Sequence, residues 1–174
     1  MNRKLSILYA YIVRLITYFL PDIPFFMRLR GGLYSLAMPQ CGKNFQVAHS
    51  SILNSISELK IQDNVYLANN TSLLCGGGIK IESNVIIGPG SVISSNNHTF
   101  MSDSGFRFGA VNKGEVTIGS GSWICANSVI TKGASFPPNS ILAPCSVYGA
   151  KKNEESGIFS GSPACYVRDI KHGD

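Results

Sequence analysis

The chain has 174 residues, of which 44% are hydrophobic and only 14% charged, and its formal net charge is +5. This length fits one domain with at most a short additional element. The large apolar fraction indicates that some apolar surface meets a partner subunit or a membrane. The mild positive charge suits an anionic cofactor or lipid headgroups, whereas the lack of a basic run interleaved with aromatic residues argues against nucleic-acid binding.

The cysteines point to a reducing compartment. There are five of them, an odd number, and no pair has CxxC spacing. Free thiols in the cytoplasm are therefore expected.

Residues 1–40 are predicted to form a helical, amphipathic segment. An apolar stretch over residues 5–20 is interrupted by Arg14, lacks a signal-peptide cleavage site and is too short to span a bilayer. Apolar residues recur in it at helical spacing, and Pro21 and Pro24 are expected to end the pattern. The recurring residues are Leu5, Leu8, Ile12, Leu15, Ile16 and Phe19.

Two roles are open for this segment, and they are compatible. It caps the open end of the domain that follows and packs within an oligomer, or it lies on a membrane surface with the help of its basic residues. Those residues are Arg3, Lys4, Arg14, Arg28 and Arg30.

Residues 41–174 contain an internal repeat of six residues. Large apolar residues lead the hexads, and a residue that is usually small follows each of them four positions later. The leads are Ile61, Leu67, Leu73, Ile81, Ile87, Ile93, Ile118, Ile124, Ile130, Phe136, Leu142 and Tyr148. The following positions include Val65, Thr71, Gly77, Val85, Ser91, Asn97, Ser122, Ser128, Ala134, Ser140 and Ser146.

A period of six fits a short strand followed by a tight turn, repeated along the chain. The lead residue points into the core and the small residue occupies the bend, while turn formers such as Asn69-Asn70 and Gly88-Pro89-Gly90 lie between them. Three hexads make a triangular coil of about 18 residues, so the pattern predicts an all-β parallel β-helix of about five coils. A slip of register at residues 75–78 is absorbed by a glycine run.

The repeat stops between Ile93 and Ile118, where residues 96–116 are predicted to form a long structureless loop. Long insertions of this kind tend to be lids or binding loops. His98 begins the loop, and a neutral imidazole is suited to take a proton from a hydroxyl that attacks a thioester.

Two hexads resemble those of the hexapeptide-repeat acyltransferases: Ile87-Gly88-Pro89-Gly90-Ser91-Val92 and Ile118-Gly119-Ser120-Gly121-Ser122-Trp123. The resemblance covers roughly residues 47–168. It implies a left-handed coil, a homotrimer and acetyl-CoA as co-substrate. Asn96-Asn97-His98-Thr99-Phe100 resembles the catalytic segment of the sugar O-acetyltransferase branch, which includes the maltose, galactoside, nodulation-factor and surface-polysaccharide enzymes. In that branch the residue matching His98 is the general base.

The same resemblance suggests a cofactor groove between two subunits. Trp123, in a run similar to the family's G-x-x-W-I-G-A-x, would border the acetyl group, although Cys125 replaces a glycine there. Ala126 and Ala143 would offer backbone contacts to pantetheine. In the C-terminal tail, residues 154–174, Arg168 matches a phosphate-binding position while Cys165 replaces a lysine. Lys151 and Lys152 would also bind phosphate.

The acceptor side is less specific. Asn69 resembles the asparagine that hydrogen-bonds the sugar in galactoside enzymes, and Asn97, Phe100 and Asp103 are further candidates for acceptor contacts. Phe106 and Phe108 would stack on a sugar ring or hold the loop in place. Either Asp103 or Glu115 would orient His98, and their spacing does not choose between them.

The predicted function is transfer of an acetyl group from acetyl-CoA to a sugar hydroxyl in surface polysaccharide biosynthesis, with no metal. The protein is expected in the cytoplasm, either free or at the inner face of the membrane. One alternative is N-acylation of an aminosugar, or transfer to another small acceptor such as serine. Others are a metal-dependent carbonic anhydrase, which needs three converging histidines, and a non-catalytic scaffold.

Overall fold

The computed structural model describes residues 2–150 and 155–171. Two helices, α1 and α2, precede a long series of short strands. The helices are Arg3–Thr17 and Pro24–Ser35, and a 3₁₀ turn occupies Ile56–Glu58. The strands are β1 Gln40–Cys41, β2 Gln46–Val47, β3 Ile52–Asn54, β4 Leu59–Ile61, β5 Tyr66–Leu67, β6 Ser72–Leu74, β7 Ile79–Ile81, β8 Ile86–Ile87, β9 Val92–Ser94, β10 Asn96–His98, β11 Val111–Lys113, β12 Val116–Ile118, β13 Trp123–Ile124, β14 Val129–Ile130, β15 Ser135–Phe136, β16 Ile141–Leu142, β17 Val147–Tyr148, β18 Ile158–Gly161 and β19 Ala164–Arg168.

Every third strand of the coil stacks in parallel on the same face of a prism. Face A consists of β1, β4, β7, β12 and β15, face B of β2, β5, β8, β13, β16 and β18, and face C of β3, β6, β9, β14 and β17. The predicted parallel β-helix is therefore confirmed. It has about six turns rather than five, because β18 starts a further turn by pairing with β16.

The hexad leads fill the interior of the coil. All of them are buried, with at most 1% of any one exposed. Each lead stacks on its equivalent in the next coil, as Leu67 does on Ile87 and Ile124 on Leu142. Leu67 and Ile87 are slightly farther apart along the chain than Ile124 and Leu142, because the turns of the first coils are longer. The repeat read from the sequence thus defines the core.

Small hydroxyl residues close the bends. The Ser91 hydroxyl donates to the Cys125 carbonyl over 2.8 Å, and the Ser122 hydroxyl donates to the Pro137 carbonyl over 2.9 Å. These buried hydroxyls satisfy carbonyls of the next coil, which is why serine suits the position as well as alanine. Asn97 is the exception, since it lies exposed on β10, and Ser95 is buried in its place.

Asparagines shape the bend between faces A and B. Asn44, Asn64 and Asn84 have φ angles of 57, 58 and 61°, in the left-handed region, which asparagine tolerates better than most residues. Asn44 donates to Asn64 over 3.1 Å and Asn64 to Asn84 over 3.0 Å. The turn formers seen in the sequence therefore also link successive coils.

The N-terminal segment contains two helices. Helix α1 begins after Asn2, whose side chain accepts from the Lys4 amide. As expected, the first helical pattern ends before the two prolines, since α1 stops at Thr17. The sequence did not predict that Pro24 begins a second helix, α2, where its fixed φ and missing N–H are tolerated. Among the described residues, neither helix is long and apolar enough to cross a bilayer.

Helix α1 packs on the first coil through the side that carries its smaller residues. Ser6, Ala10, Val13 and Thr17 are its buried residues. Helix α2 approaches the coil closely at Gly31, where a Cβ atom would collide with the Phe45 carbonyl. The apolar residues that predicted the helix stay exposed on the opposite side of α1.

At the other end, aromatic residues close the core. The rings of Phe136, Tyr148 and Phe159 lie 4.9 to 5.6 Å apart with edge-to-face geometry. Phe159 belongs to β18, which pairs antiparallel with β19. The C-terminal hairpin therefore covers the last coil.

The break in the repeat is an arm rather than a structureless loop. β10 and β11 pair antiparallel, with Asn96 opposite Lys113 and His98 opposite Val111. At its tip, Met101 and Gly105 form an isolated bridge. The arm leaves the third coil between face C and face A, and the solenoid resumes at β12 in register with β7.

Candidate active site

His98 lies at the end of β10, on the exposed arm. Backbone pairing with Val111 fixes its position along the strand, and its side chain is exposed. Within the described ranges no residue hydrogen-bonds its imidazole. Neither of the carboxylates expected to orient it does so: Asp103 accepts from the Ser104 hydroxyl over 3.0 Å, and Glu115 lies beside Gly78.

The other candidates on the arm are also exposed. Asn97 is paired with Asn112 across the two strands. The Phe100 ring meets the Phe106 ring edge to face at 5.3 Å, yet both remain about 60% exposed. This pair holds the arm together and still offers aromatic surface to a ligand.

Trp123 lies on face B, on a different side of the prism from the arm. It is 46% exposed and lines a groove of about 490 Å³ together with Ile141, Gly157 and Ile170. In register, Trp123 lies between Ile86 and Ile141. Within one chain, the structure therefore places Trp123 and His98 on separate faces.

Ala126 and Ala143 occupy the bend between faces B and C in successive coils. The Ala126 carbonyl accepts from the Cys145 amide over 3.0 Å. The Ala143 amide donates to the Phe159 carbonyl over 2.8 Å, and the Ala143 carbonyl accepts from the Ser128 hydroxyl. Beside them, Cys125 is buried, which raises the pKa of its thiol.

The tail residues lie on β19. Arg168 is exposed and donates to the Asp169 carbonyl over 3.0 Å. Cys165 is exposed as well, with its sulfur 3.7 Å from the Pro163 carbonyl. Lys151 and Lys152, the other candidates for phosphate contacts, lie outside the described residues.

Asn69 takes part in a polar cluster that the sequence did not reveal. Its amide donates to Asp22 Oδ2 over 2.8 Å, and His49 Nδ1 lies 2.7 Å from the same oxygen. Asp22 Oδ1 accepts from the His49 amide over 2.8 Å and from Arg30 over 3.1 Å. We call Asp22, Arg30, His49 and Asn69 the corner cluster.

An ion pair between Arg30 and Asp22 lies at the centre of the corner cluster. The Arg30 side chain is fully buried, whereas Asp22 is 19% and His49 33% exposed. Burial raises the pKa of Asp22, but the hydrogen bonds from His49 and Asn69 outweigh it, so the pKa lies below its ordinary value. Asp22 is therefore held ionised, and the His49 Nδ1 atom is directed at this carboxylate.

One signal in the sequence identifies part of this cluster. His49 and Asn69 have the same separation along the chain as the strand partners Val47 and Leu67, so they stack at the same bend between faces B and C. Asp22 and Arg30 gave no such signal, because their positions depend on how the two helices pack against the coil.

Three of the candidates, Asn69, Ala126 and Ala143, lie along one edge of the prism. From the first coil upward, the bend between faces B and C carries His49, then Asn69, and later Ala126 and Ala143. The arm with His98 leaves from the third coil, at a level between Asn69 and Ala126. Among the described residues, no three His, Cys, Asp or Glu side chains form a group that could hold a metal ion.

Similarity in sequence to known proteins is low. No family model matches the chain. An uncharacterised protein of Dictyostelium discoideum is 27% identical over 142 residues, which cover 76% of this chain and 50% of that protein. The match thus spans about half the length of this relative.

Similarity in structure is much higher. A hexapeptide-repeat acetyltransferase of Vibrio cholerae in complex with acetyl coenzyme A has a TM-score of 0.77 and 20% identity, covering 97% of this chain and 88% of that one. A maltose O-acetyltransferase of Clostridium difficile has a TM-score of 0.79 and 16% identity over the same shares. A galactoside acetyltransferase in complex with coenzyme A has a TM-score of 0.72 and 22% identity, covering 97% of this chain and 82% of that one.

An enzyme with a different acceptor atom shares the architecture. A variant of an N-acyltransferase from Bacillus cereus, in complex with dTDP and coenzyme A, has a TM-score of 0.66 and 14% identity, covering 81% of this chain and 89% of that one. Because the sequence identity to all four proteins is low, the similarity defines the fold alone. The chain has the left-handed parallel β-helix fold of the hexapeptide-repeat acetyltransferases.

Proposed function

We propose that the protein is an acetyl-CoA-dependent O-acetyltransferase that acetylates a sugar hydroxyl, with His98 as the general base. The observation that carries the proposal is the exposed arm that interrupts the solenoid. The first strand of this arm, β10, ends at His98. Solved enzymes of the same fold are bound to acetyl-CoA or coenzyme A, which supports acetyl-CoA as co-substrate.

In the proposed reaction both substrates are bound together. The imidazole of His98 takes the proton from the sugar hydroxyl, and the oxygen attacks the thioester carbonyl. A backbone N–H near the site stabilises the oxyanion that forms. When the C–S bond breaks, the proton on His98 passes to the departing coenzyme A sulfur, so the imidazole is regenerated without an acyl-enzyme.

We propose a homotrimer in which each site combines two chains. Face B presents an outward apolar row, Tyr66, Ile86, Trp123 and Ile141, in consecutive coils. Exposed apolar rows of this kind mark interfaces. A neighbour packed there would bring its arm, and with it His98, to the groove of Trp123 and to the edge that carries Ala126.

Acetyl-CoA is proposed to follow this edge. Trp123 borders the acetyl group. The Ala143 carbonyl accepts from the Ser128 hydroxyl over 3.0 Å and has a second lone pair for a pantetheine amide. The Ala126 carbonyl accepts from the Cys145 amide over 3.0 Å and from the Ser128 hydroxyl over 3.4 Å, and it would take a pantetheine amide in place of the longer of these bonds. Arg168, Lys151 and Lys152 are assigned to the phosphates, which planar guanidinium and compact ammonium groups both bind.

The acceptor is proposed to bind at the corner cluster. Vicinal hydroxyls of a sugar suit the paired carboxylate and amide of Asp22 and Asn69, which lie 2.8 Å apart. Asn97, Phe100 and Asp103 of a neighbour's arm would cover the sugar from the other side. We further propose that the acceptor is a precursor of a surface polysaccharide, processed in the cytoplasm, where the five free cysteines would stay reduced.

N-acylation of an aminosugar is the second candidate. It is favoured by the fold shared with the Bacillus cereus N-acyltransferase. The corner cluster favours the hydroxyl instead, because a protonated amine placed beside Asp22 would be stabilised in its non-nucleophilic form.

A matched acceptor screen separates the two activities. Sugars, sugar nucleotides and lipid-linked sugars, each paired with its amino analogue, are incubated with acetyl-CoA and the release of coenzyme A thiol is followed. Mass spectrometry then identifies the product as an ester, which mild base cleaves, or an amide, which survives. We expect esters. Thiol release only with aminosugars, giving base-stable products, would favour N-acylation. If none of the acceptors causes thiol release, both activities are contradicted.

A further inference from the structure

Helix α1 and the residues just after it turn an apolar stripe away from the protein. We define the stripe as Leu5, Leu8, Ile12, Leu15, Ile16 and Phe19, which are 44 to 90% exposed. At about 100° per residue these positions cover an arc of about 100° on the helical wheel.

The stripe is not the side by which α1 packs on the coil. The buried residues Ser6, Ala10, Val13 and Thr17 are centred about 140° around the helix from it. An ordinary surface helix shows the reverse arrangement, with its large apolar residues inside and polar residues outside. The stripe therefore requires an occupant outside the chain.

The charges around the stripe favour an anionic surface. The helical segment carries five basic residues, Arg3, Lys4, Arg14, Arg28 and Arg30, against one acidic residue, Asp22. Asp22 is already paired with Arg30 and His49, so the remaining charges are positive. A second copy of α1 would present the same positive charges, whereas anionic lipid headgroups present the opposite sign.

The border of the stripe also matches a lipid interface. Tyr11 and Tyr18 are 61% and 45% exposed, and with Lys4 they lie along one edge of the stripe on the helical wheel. Tyrosine favours the boundary between hydrocarbon and headgroups, and lysine keeps its stem in contact with apolar surface while its charge stays in water. Exposed Phe25 and Leu29 of α2 add apolar surface to the same helical segment.

We infer that α1 lies in the plane of an anionic membrane surface, with the stripe inserted among the lipids and the solenoid held at the surface. Amphipathic helices of this type bury their apolar side to a depth of about 5–10 Å. The 15 residues of α1 give a contact about 22 Å long. This inference is independent of the proposed activity, because the binding it predicts requires no substrate.

The test is sedimentation with vesicles of phosphatidylcholine, with or without phosphatidylglycerol. We expect the wild type to pellet with the anionic vesicles and to be released by high salt, since screening weakens the headgroup attraction. The double variant Leu8→Glu/Ile12→Glu should bind at least tenfold more weakly. Lys43→Gln/Lys60→Gln changes the net charge by the same amount at exposed coil positions and should bind like the wild type.

In the sedimentation experiment, the inference is overturned by a wild type that stays in the supernatant or by a Leu8→Glu/Ile12→Glu variant that pellets normally. Light scattering provides a further check, because loss of oligomer in that variant would assign the stripe to a second copy. Phe19→Trp in a Trp123→Phe background gives a measurement that does not disrupt the stripe. Its fluorescence should shift to the blue with anionic vesicles, and an unchanged spectrum would contradict insertion.

Discussion

The Asp22 carboxylate joins the helical segment to the solenoid. It follows α1 in the chain, yet it accepts hydrogen bonds from His49 and Asn69, in the first two coils, and from Arg30 on α2. Arg30 in turn donates to the carbonyls of Thr17 and Leu20. A single ionised side chain thus both fixes the helices to the coil and forms the floor of the proposed acceptor site.

Replacing Asp22 should be costly. In Asp22→Asn the fully buried Arg30 loses its counter-charge, so we expect the free energy of unfolding to fall by about 3 kcal/mol at neutral pH. Urea denaturation measures this. Asp63→Asn removes an exposed carboxylate and should change stability by less than about 0.5 kcal/mol. Equal losses in the two variants would contradict a special role for Asp22.

The stability difference between the wild type and Asp22→Asn should depend on pH. The folded-state pKa of Asp22 is lowered, so its contribution to stability is complete above the unfolded value of about 4 and is lost as the pH falls through the lower folded value. The difference in Tm between wild type and Asp22→Asn should therefore shrink as the pH is lowered below about 4. A difference that grows with acid would contradict the assigned direction.

At the residue scale, the sequence specified the core better than the site. A side chain every sixth position must point inward for a triangular coil to form, so the hexad leads were predictable one by one. Asn69 was found by resemblance, but its partners were not. Asp22 and Arg30 come together only because α1 turns its small residues toward the coil, and that choice depends on tertiary packing rather than on local pattern.

Among the elements, the β10–β11 arm is the one that the solenoid does not need. The strands on either side of it, β9 and β12, are paired within the coils, and Ile93 and Ile118 continue the core. The arm was predicted as a loop because its sequence lacks the alternating apolar residues of a half-buried strand. Its strands instead expose most of their side chains, and their pairing comes from the backbone.

Removing the arm should separate scaffold from activity. Asn96 and Lys113 face each other in register, so residues 97–112 can be replaced by Asn-Gly, a dipeptide suited to a hairpin turn. We expect the Tm to change by only a few degrees or less, since no core residue is removed, while thiol release from acetyl-CoA is abolished. Retained turnover would show that the arm is not part of the site.

At the scale of the whole molecule, the separation of His98 and Trp123 on different faces has a direct consequence. If each site takes His98 from one chain and Trp123 from the next, two inactive variants complement each other. Random mixing of His98→Ala and Trp123→Ala chains into trimers regenerates about a quarter of the sites. We expect that fraction of wild-type activity after refolding the mixture.

The control for complementation is each variant refolded alone, with its oligomeric state measured by light scattering. Activity that stays at the level of the separate variants, in mixed trimers of normal size, would place both residues in the same chain. In that case the arm of a neighbouring chain would not reach the edge between faces B and C, and the site would have to be assembled within one chain.

The most direct test of the account is turnover by His98→Ala, measured as coenzyme A release with acetyl-CoA and an acceptor from the screen. We predict that kcat falls by about a hundredfold or more, because loss of a general base removes that much of the rate. Asn112→Ala, on the paired strand of the same arm, should keep the wild-type rate. Near-normal turnover by His98→Ala would contradict the assignment of His98 as the base.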